Sequence, residues 1–388
     1  MNEKKEKNDF SLENTDTIKK EKPIEEPEKM RVPLFSKILL IIGAISAVLY
    51  VLFRFIPSLA DFFNKYISPI VRAALSYATT WIPFSLAEAL IILIPIIIIA
   101  IVSVGIKKYS STWRNIGVFC VIMLSLASYI FSTYTLGFIP AYNGSTLDKK
   151  MGLDKQPVSA EELYYTAEII SNELSKEAEH ILYNGEGFSV MPYGYNELND
   201  KLMKAYEKAC EKYDFISPLH SNIKEVMLSE PMTYTHISGV YTFFTGEANL
   251  NVNFPDYVLP YTAAHEFAHQ RGIAREDEAN FVAFLVCMES DDHYIRYSAY
   301  LNMYEYLSGP LSSADAAGAS TIYQSLPMRA KSDMSAYSKF FSKYKKTVVS
   351  EVSNAVNDTS IKIHGDKQGS QSYGMVVDLT VAYYKAQQ

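Results

Sequence analysis

The chain has 388 residues, a formal net charge of −7, and 48% apolar against 20% charged side chains. Net acidity without a basic stripe argues against a nucleic-acid partner. Three cysteines (Cys120, Cys210, Cys287) are too few for a disulfide scaffold, and the composition excludes collagen, coiled-coil and wholly disordered chains.

These averages conceal an asymmetry. Residues 1–33 are densely charged with both signs and poor in large apolar side chains, so they cannot bury enough surface to order. A disordered tail is expected there. No cleavage-site pattern follows the first apolar run at signal-peptide length, so no signal peptide is expected. Residues 34–138 read as a membrane domain. Its three apolar segments, about 34–57, 86–106 and 116–138, each have roughly the 20 residues that cross a hydrocarbon core of ~30 Å. Pro95 in the second is tolerated as a kink.

The stretch 58–85 is less apolar and carries Lys65 and Arg72. Its apolar residues recur three and four apart, which predicts an interfacial amphipathic helix with Trp81 at headgroup depth. Eight Lys/Arg precede the first span, and Lys107, Lys108 and Arg114 separate the second from the third. The positive-inside rule therefore places the N-terminus in the cytoplasm, and residues 139–388 become an extracytoplasmic domain on a multi-pass cell-membrane protein.

In that domain Ser159 and Glu162 have the spacing of a capping box, which predicts a helix over about 159–182. A second helix is expected over Tyr195–Tyr213. Short strands are expected between Met227 and Asn253, where Glu247–Asn253 alternates like a half-exposed strand. Helices follow from Leu259 to about Tyr306, then a Gly/Ser/Ala-rich loop over Ser308–Ser320. Further helices are expected over Met334–Val356 and Met375–Lys385. The fold class is mainly α with a small sheet.

The strongest chemical signal is Ala264-His265-Glu266-Phe267-Ala268-His269. On a helix His265 and His269 lie one turn apart and ~40° around the axis, so both imidazoles can reach one Zn²⁺ at ~2.1 Å. Glu266, beside the first histidine, is placed to accept a proton from an activated water. Gly272 reads as a helix stop. A second helix then starts with acids, and Glu276, Ala279, Asn280 and Ala283 share one face. Small alanines allow close approach to the first helix. Glu276 is the expected third ligand, and Asn280 would hold a ligand from behind. Glu278 points ~160° away from Glu276, so only one of the two can face the metal. Glu278, or another residue such as His293, remains the alternative. His180, His220, His236, His293 and His364 lack ligand spacing and read as structural. Cys210 and Cys287 could pair outside the cytoplasm, although Cys287 follows Phe284-Leu285-Val286 and reads better as a buried thiol.

HEFAH followed by EDEANFVA resembles a gluzincin-type zinc metallopeptidase. The longer string HEFAHQRGIAREDEANFVAFL resembles the DUF3810 family of bacterial membrane proteins, as do FTGEANLNVNFPDYVLPYTAAHE and QSYGMVVDLTVAYY. The resemblance implies a zincin-like α+β domain over 139–388 with an HExxH active-site helix, Zn²⁺ as cofactor, and a peptide or protein substrate. It names no specific substrate. It also implies that the strand over Glu247–Asn253 pairs with extended substrate, and that Tyr373 donates to the tetrahedral intermediate. The His269–Glu276 spacing is shorter than in membrane-bound gluzincins, so a tight turn must bring Glu276 back. The expected function is a membrane-anchored zinc peptidase with Glu266 as general base. The competing expectation is a non-catalytic membrane sensor or assembly module built on the same fold.

Overall fold

The computed structural model describes residues 30–185, 187–344, 351, 355 and 375–388, and over these the chain is mainly helical. Three helices are long and apolar enough to cross a membrane: span one (Leu34–Phe55), span two (Leu86–Tyr109) and span three (Trp113–Gly137). Spans one and three pack side by side. Small residues make that approach possible. A Cβ on Gly43 would lie 2.8 Å from the Ser128 Cβ, and the Ser125 hydroxyl donates to Ser36 Oγ at 3.1 Å. Close packing of small residues is the usual basis of helix association in lipid. Span two leaves this pair, and its apolar surface is unburied.

Between spans one and two the chain runs through a short helix (Pro57–Phe62), one π-helical turn (Phe63–Ile67) and a docking helix (Ser68–Thr80). The docking helix is sided. Ser68, Arg72, Ser76 and Thr79 are buried, while Ile70 and Tyr77 are exposed, as is Trp81 just beyond it. At 100° per residue these two sets sit about 165° apart around the axis. The polar face packs inward on the half of the chain beyond span three, and the apolar face points out.

That half begins with a short helix (Ile139–Asn143) folded back against the end of span one and Pro57–Phe62. The capping box forms as expected: Ser159 Oγ accepts from the Glu162 N–H, and Glu162 accepts from the Ser159 N–H at 2.9 Å. The helix it starts, Ala160–Ala178, packs on the long helix His293–Ala314. Helices also form over Tyr195–Lys212, Met328–Phe341 and Met375–Lys385. The sheet has three strands: β1 (Ile223–Glu225), β2 (Gly239–Thr242) and β3 (Glu247–Leu250). The order is β1-β3-β2, with β1 parallel and β2 antiparallel to β3.

Two expectations are corrected. The loop over Ser308–Ser320 is helical on both sides of one break: the long helix continues to Ala314, and Ala316–Ser325 follows. Leu307 and Leu311 are buried, so tertiary packing outweighs weak Gly and Ser propensity. The break shrinks to Asp315, whose side chain caps the next helix by accepting from the Gly318 N–H at 2.9 Å. The strand near Glu247 is not half-exposed either. All four residues of β3 are buried and both its edges are paired.

Charged groups tie the two halves together. The Arg72 guanidinium donates to the carbonyls of Gly137 (2.8 Å) and Arg271 (3.3 Å). Lys224 donates to the carbonyls of Thr79, Thr80 and Ile82 at the end of the docking helix. The Glu247 carboxylate accepts from the N–H groups of Leu86 and Ala87 at the start of span two, at 3.0 and 2.9 Å. Replacing Arg72→Leu leaves two buried carbonyls without donors, at about 1–3 kcal/mol each. The full chain in detergent should unfold with about 3 kcal/mol less stability, read from its denaturation midpoint; an unchanged midpoint would remove Arg72 from this role.

Candidate metal centre

Two helices and the turn between them build the centre. The HExxH helix spans Val258–Gln270 and the return helix spans Glu276–Met288. Ala263, Ala264, Ala279 and Ala283 are fully buried, so little side-chain volume separates the two. The Tyr261 hydroxyl donates to the Asn280 carbonyl at 2.8 Å, linking them.

The turn follows from Gly272, whose φ of +90° favours glycine. The Gly272 N–H donates to the His269 carbonyl (3.0 Å) and the Ile273 N–H to the Ala268 carbonyl (3.1 Å). That bond pair is a Schellman motif with Gly272 at C′. The reversal aims the Ile273 carbonyl back at His269 Nδ1, 2.8 Å away. In the neutral ring this bond fixes the proton on Nδ1 and leaves Nε2 as the nitrogen that faces Glu276. Four residues past Gly272 the chain re-enters a helix with Glu276 as its first residue.

The result is compact. His265 Nε2 lies 3.3 Å from Glu276 Oε2, and His269 Nε2 lies 3.6 Å from Glu276 Oε1. One ligand atom from each of His265, His269 and Glu276 falls within 4.8 Å of the others. Tetrahedral bonds of ~2.0–2.1 Å place ligand atoms about 3.4 Å apart. Each histidine nitrogen thus lies near that spacing from one oxygen of the Glu276 carboxylate, a different oxygen for each, and two imidazoles with one carboxylate are a donor set that suits zinc.

Glu266 lies beside them, buried. It packs on β2 so closely that a Cβ at Gly239 would meet its Oε1 at 2.6 Å, so a larger residue there would displace the Glu266 side chain. Among the described residues its Oε2 has no hydrogen-bond partner. Burial raises its pKa, against the neighbouring His265 and His269 and a backbone hydrogen bond from Tyr241. Burial works to lower His269, yet the Glu276 carboxylate prevails and raises it to about 9. For Glu276 burial works upward, and the two histidines hold it well below the usual carboxylate range. A proton on His269, held there by the Glu276 carboxylate, stands in the place a metal would take.

The other expected residues are placed as follows. Glu278 points away from the cluster, accepting from the Leu147 N–H (2.8 Å) and from Arg275 (3.2 Å). His293 is engaged with Glu177 at 2.7 Å and stacks on His180, outside the cluster. Asn280 is buried on the return helix, and among the described residues its Nδ2 has no hydrogen-bond partner. Cys210 and Cys287 are free thiols, and Cys287 is buried. Tyr373 and His364 lie outside the described residues. Because β3 is the central strand, its edges are closed to an added strand; among the described residues β1 and β2 are the outer strands, and β2 is the one beside Glu266.

Three neighbours of the cluster were not singled out from sequence. The ring of Phe138, the residue after span three, lies 6.3 Å from the His269 ring and 5.8 Å from that of Tyr241. Arg72 fills the space over Gly272, where a Cβ would come within 2.5 Å of Nη2. The Asn64 amide donates to the Gly272 carbonyl at 3.1 Å. The only signal for Arg72 was a lone cation in an amphipathic stretch.

A mainly helical chain with membrane-spanning-length helices and an HExxH-plus-Glu cluster is the class that fold and site define. A family model described as a protein of unknown function (DUF3810) matches residues 63–381. The chain belongs to this family. No curated protein and no solved structure shows a significant match.

Gly272→Ala should be costly on two counts: a left-handed φ costs a non-glycine residue about 1–3 kcal/mol, and the new methyl meets a buried guanidinium. Thermal unfolding of the full chain should show a loss at or above that range, whereas Gly309→Ala, where a Cβ has open space, should be neutral or slightly stabilising.

Proposed function

We propose that the chain is a membrane-anchored zinc peptidase whose zinc is held by His265, His269 and Glu276. The observation that carries this reading is the convergence of these three ligand atoms beside a buried carboxylate, one of whose oxygens has no partner among the described residues. Bound there, zinc would supply the Lewis acidity that makes a water molecule a nucleophile at neutral pH.

The chain's own residues do the rest. Glu266 Oε2 accepts the proton of the attacking water and passes it to the departing amine, a role suited to a carboxylate whose pKa burial raises. The hydroxide oxygen bonds to the peptide carbonyl carbon, the C–N bond breaks, and carboxylate and amine leave. His269 is held in one tautomer by Ile273. The outer edge of β2 is suited to bind an extended substrate by main-chain hydrogen bonds, with Gly239 and Tyr241 beside Glu266. The domain over 139–388 is read as zincin-like. The balance of basic residues around the spans favours its lying outside the cytoplasm.

Glu266→Gln should retain about one zinc per chain by elemental analysis while hydrolysis falls by roughly 10²–10⁴-fold. Glu276→Gln should lose the zinc itself. A folded full-length chain never exposed to chelator and carrying no zinc would overturn the peptidase reading and favour a sensor or assembly module.

A further inference from the structure

The chemistry of the centre does not say which polypeptides reach it, but its position does. Span three ends at Gly137. The next residue, Phe138, already packs against His269 and Tyr241. One turn earlier, the Tyr134 ring lies 4.9 Å from that of Phe243, in the turn between β2 and β3. A single guanidinium, that of Arg72, bonds both the last carbonyl of span three and the carbonyl of Arg271, two residues after His269. The centre is therefore seated directly on the end of a span. A headgroup layer is only about 5–8 Å thick on each side of the hydrocarbon, comparable to the 6.3 Å between the Phe138 and His269 rings.

The surroundings agree with that depth. The docking helix buries its polar face in the protein and exposes Ile70, Tyr77 and Trp81. This siding suits lipid and is unsuited to water, and Tyr and Trp favour the headgroup level. The start of span two is held by Glu247, the first residue of the central strand. Glu88, one turn into that span, accepts from the N–H groups of Met227 and Leu228 at 2.8 and 2.7 Å. With two spans and the docking helix bonded to the sheet and the HExxH turn, the height of the centre over the bilayer is fixed by the fold.

We infer that the substrate is a polypeptide anchored in the same membrane, cut within the first few residues beyond the point where it leaves the bilayer. The inference rests on the peptidase reading and specifies its substrate class. A peptide bond carried on a soluble protein, or far out on a long ectodomain, would have to be brought down to headgroup depth. A bond just beyond a membrane anchor is already there.

The test uses the full-length chain, zinc-loaded, in phosphatidylethanolamine/phosphatidylglycerol vesicles. The probe is a library of single-span reporters with a randomised 12-residue segment directly after the anchor. The same segments are also presented behind a 40-residue Gly/Ser spacer, which sets them back by about 35 Å, and as free soluble peptides. Mass spectrometry reads the cleavage sites, with Glu266→Gln as control. The expected result is Glu266-dependent cleavage close to the anchor, reduced at least tenfold in the spacer and soluble forms. Equal cleavage of all three forms would overturn the inference and leave the peptidase reading standing. No Glu266-dependent cleavage of any form would overturn both. A second measurement is independent of activity. A photo-crosslinking amino acid in place of the half-buried Phe244 should label phospholipid in the vesicles; absence of lipid labelling would place the centre above the bilayer and overturn the inference on its own.

Discussion

The reversal at Gly272 is the constraint on which the candidate centre depends. A helix that stopped one residue earlier or later would turn His269 Nε2 away from Glu276. With the Schellman bonds in place, one left-handed residue does three things. It ends the HExxH helix, sends the Ile273 carbonyl to His269 Nδ1, and starts the return helix with Glu276 on its first turn. The short His269–Glu276 spacing is then sufficient, because the chain re-enters helix almost as soon as it leaves it.

The same turn is where the membrane-facing part meets the centre. Gly272 lacks a side chain, and the Arg72 guanidinium occupies the space a methyl would need. Glycine thus serves backbone geometry and close approach at once. Arg72 in turn reaches back to the end of span three. A buried guanidinium is strongly disfavoured unless its donors find acceptors. Here the acceptors come from the docking helix region (Asn64), the end of a span (Gly137) and the HExxH turn (Arg271). Desolvation lowers the Arg72 pKa to about 10, so it remains a cation at neutral pH.

Much of this was legible in the sequence because it is local. Span lengths follow from apolar runs, the capping box from Ser159 and Glu162, the helix stop from Gly272, and the ligand pair from the i, i+4 spacing of His265 and His269. That only one of Glu276 and Glu278 can face the cluster was legible from helix geometry, since two residues advance 200°; which one does depends on the path of the turn. What sequence reasoning missed is long-range. Alternation around Glu247 suggests a half-exposed strand, but the HExxH helix and the docking helix pack on β3 and β1 pairs with it from 25 residues away, and no local pattern reports these partners. Weak helix formers over Ser308–Ser320 suggest a loop because the burial of Leu307 and Leu311 depends on helices elsewhere. Phe138 against His269 joins residues 131 apart and left no trace in either local sequence.

The pairing of charges between the two halves follows a sign rule. Glu247 is an anion at the N-terminal end of span two, and Lys224 is a cation at the C-terminal end of the docking helix, as the helix dipole prefers. Each half thus supplies the terminal partner that the other half's helices lack. Glu247, Lys224 and Arg72 are all buried by this docking. Separating the halves would rehydrate these three charges, but it would also expose the helix ends they cap and the apolar surface around Phe138, Ala141, Tyr142 and Ala274. A flexible tether would need none of these contacts, and a tethered centre would have no defined height. Buried charges bonded to backbone groups of the other half make docking specific in register, because a shift of one residue would move those groups out of reach. The fold thereby converts the position of a span in the membrane into the position of the HExxH turn.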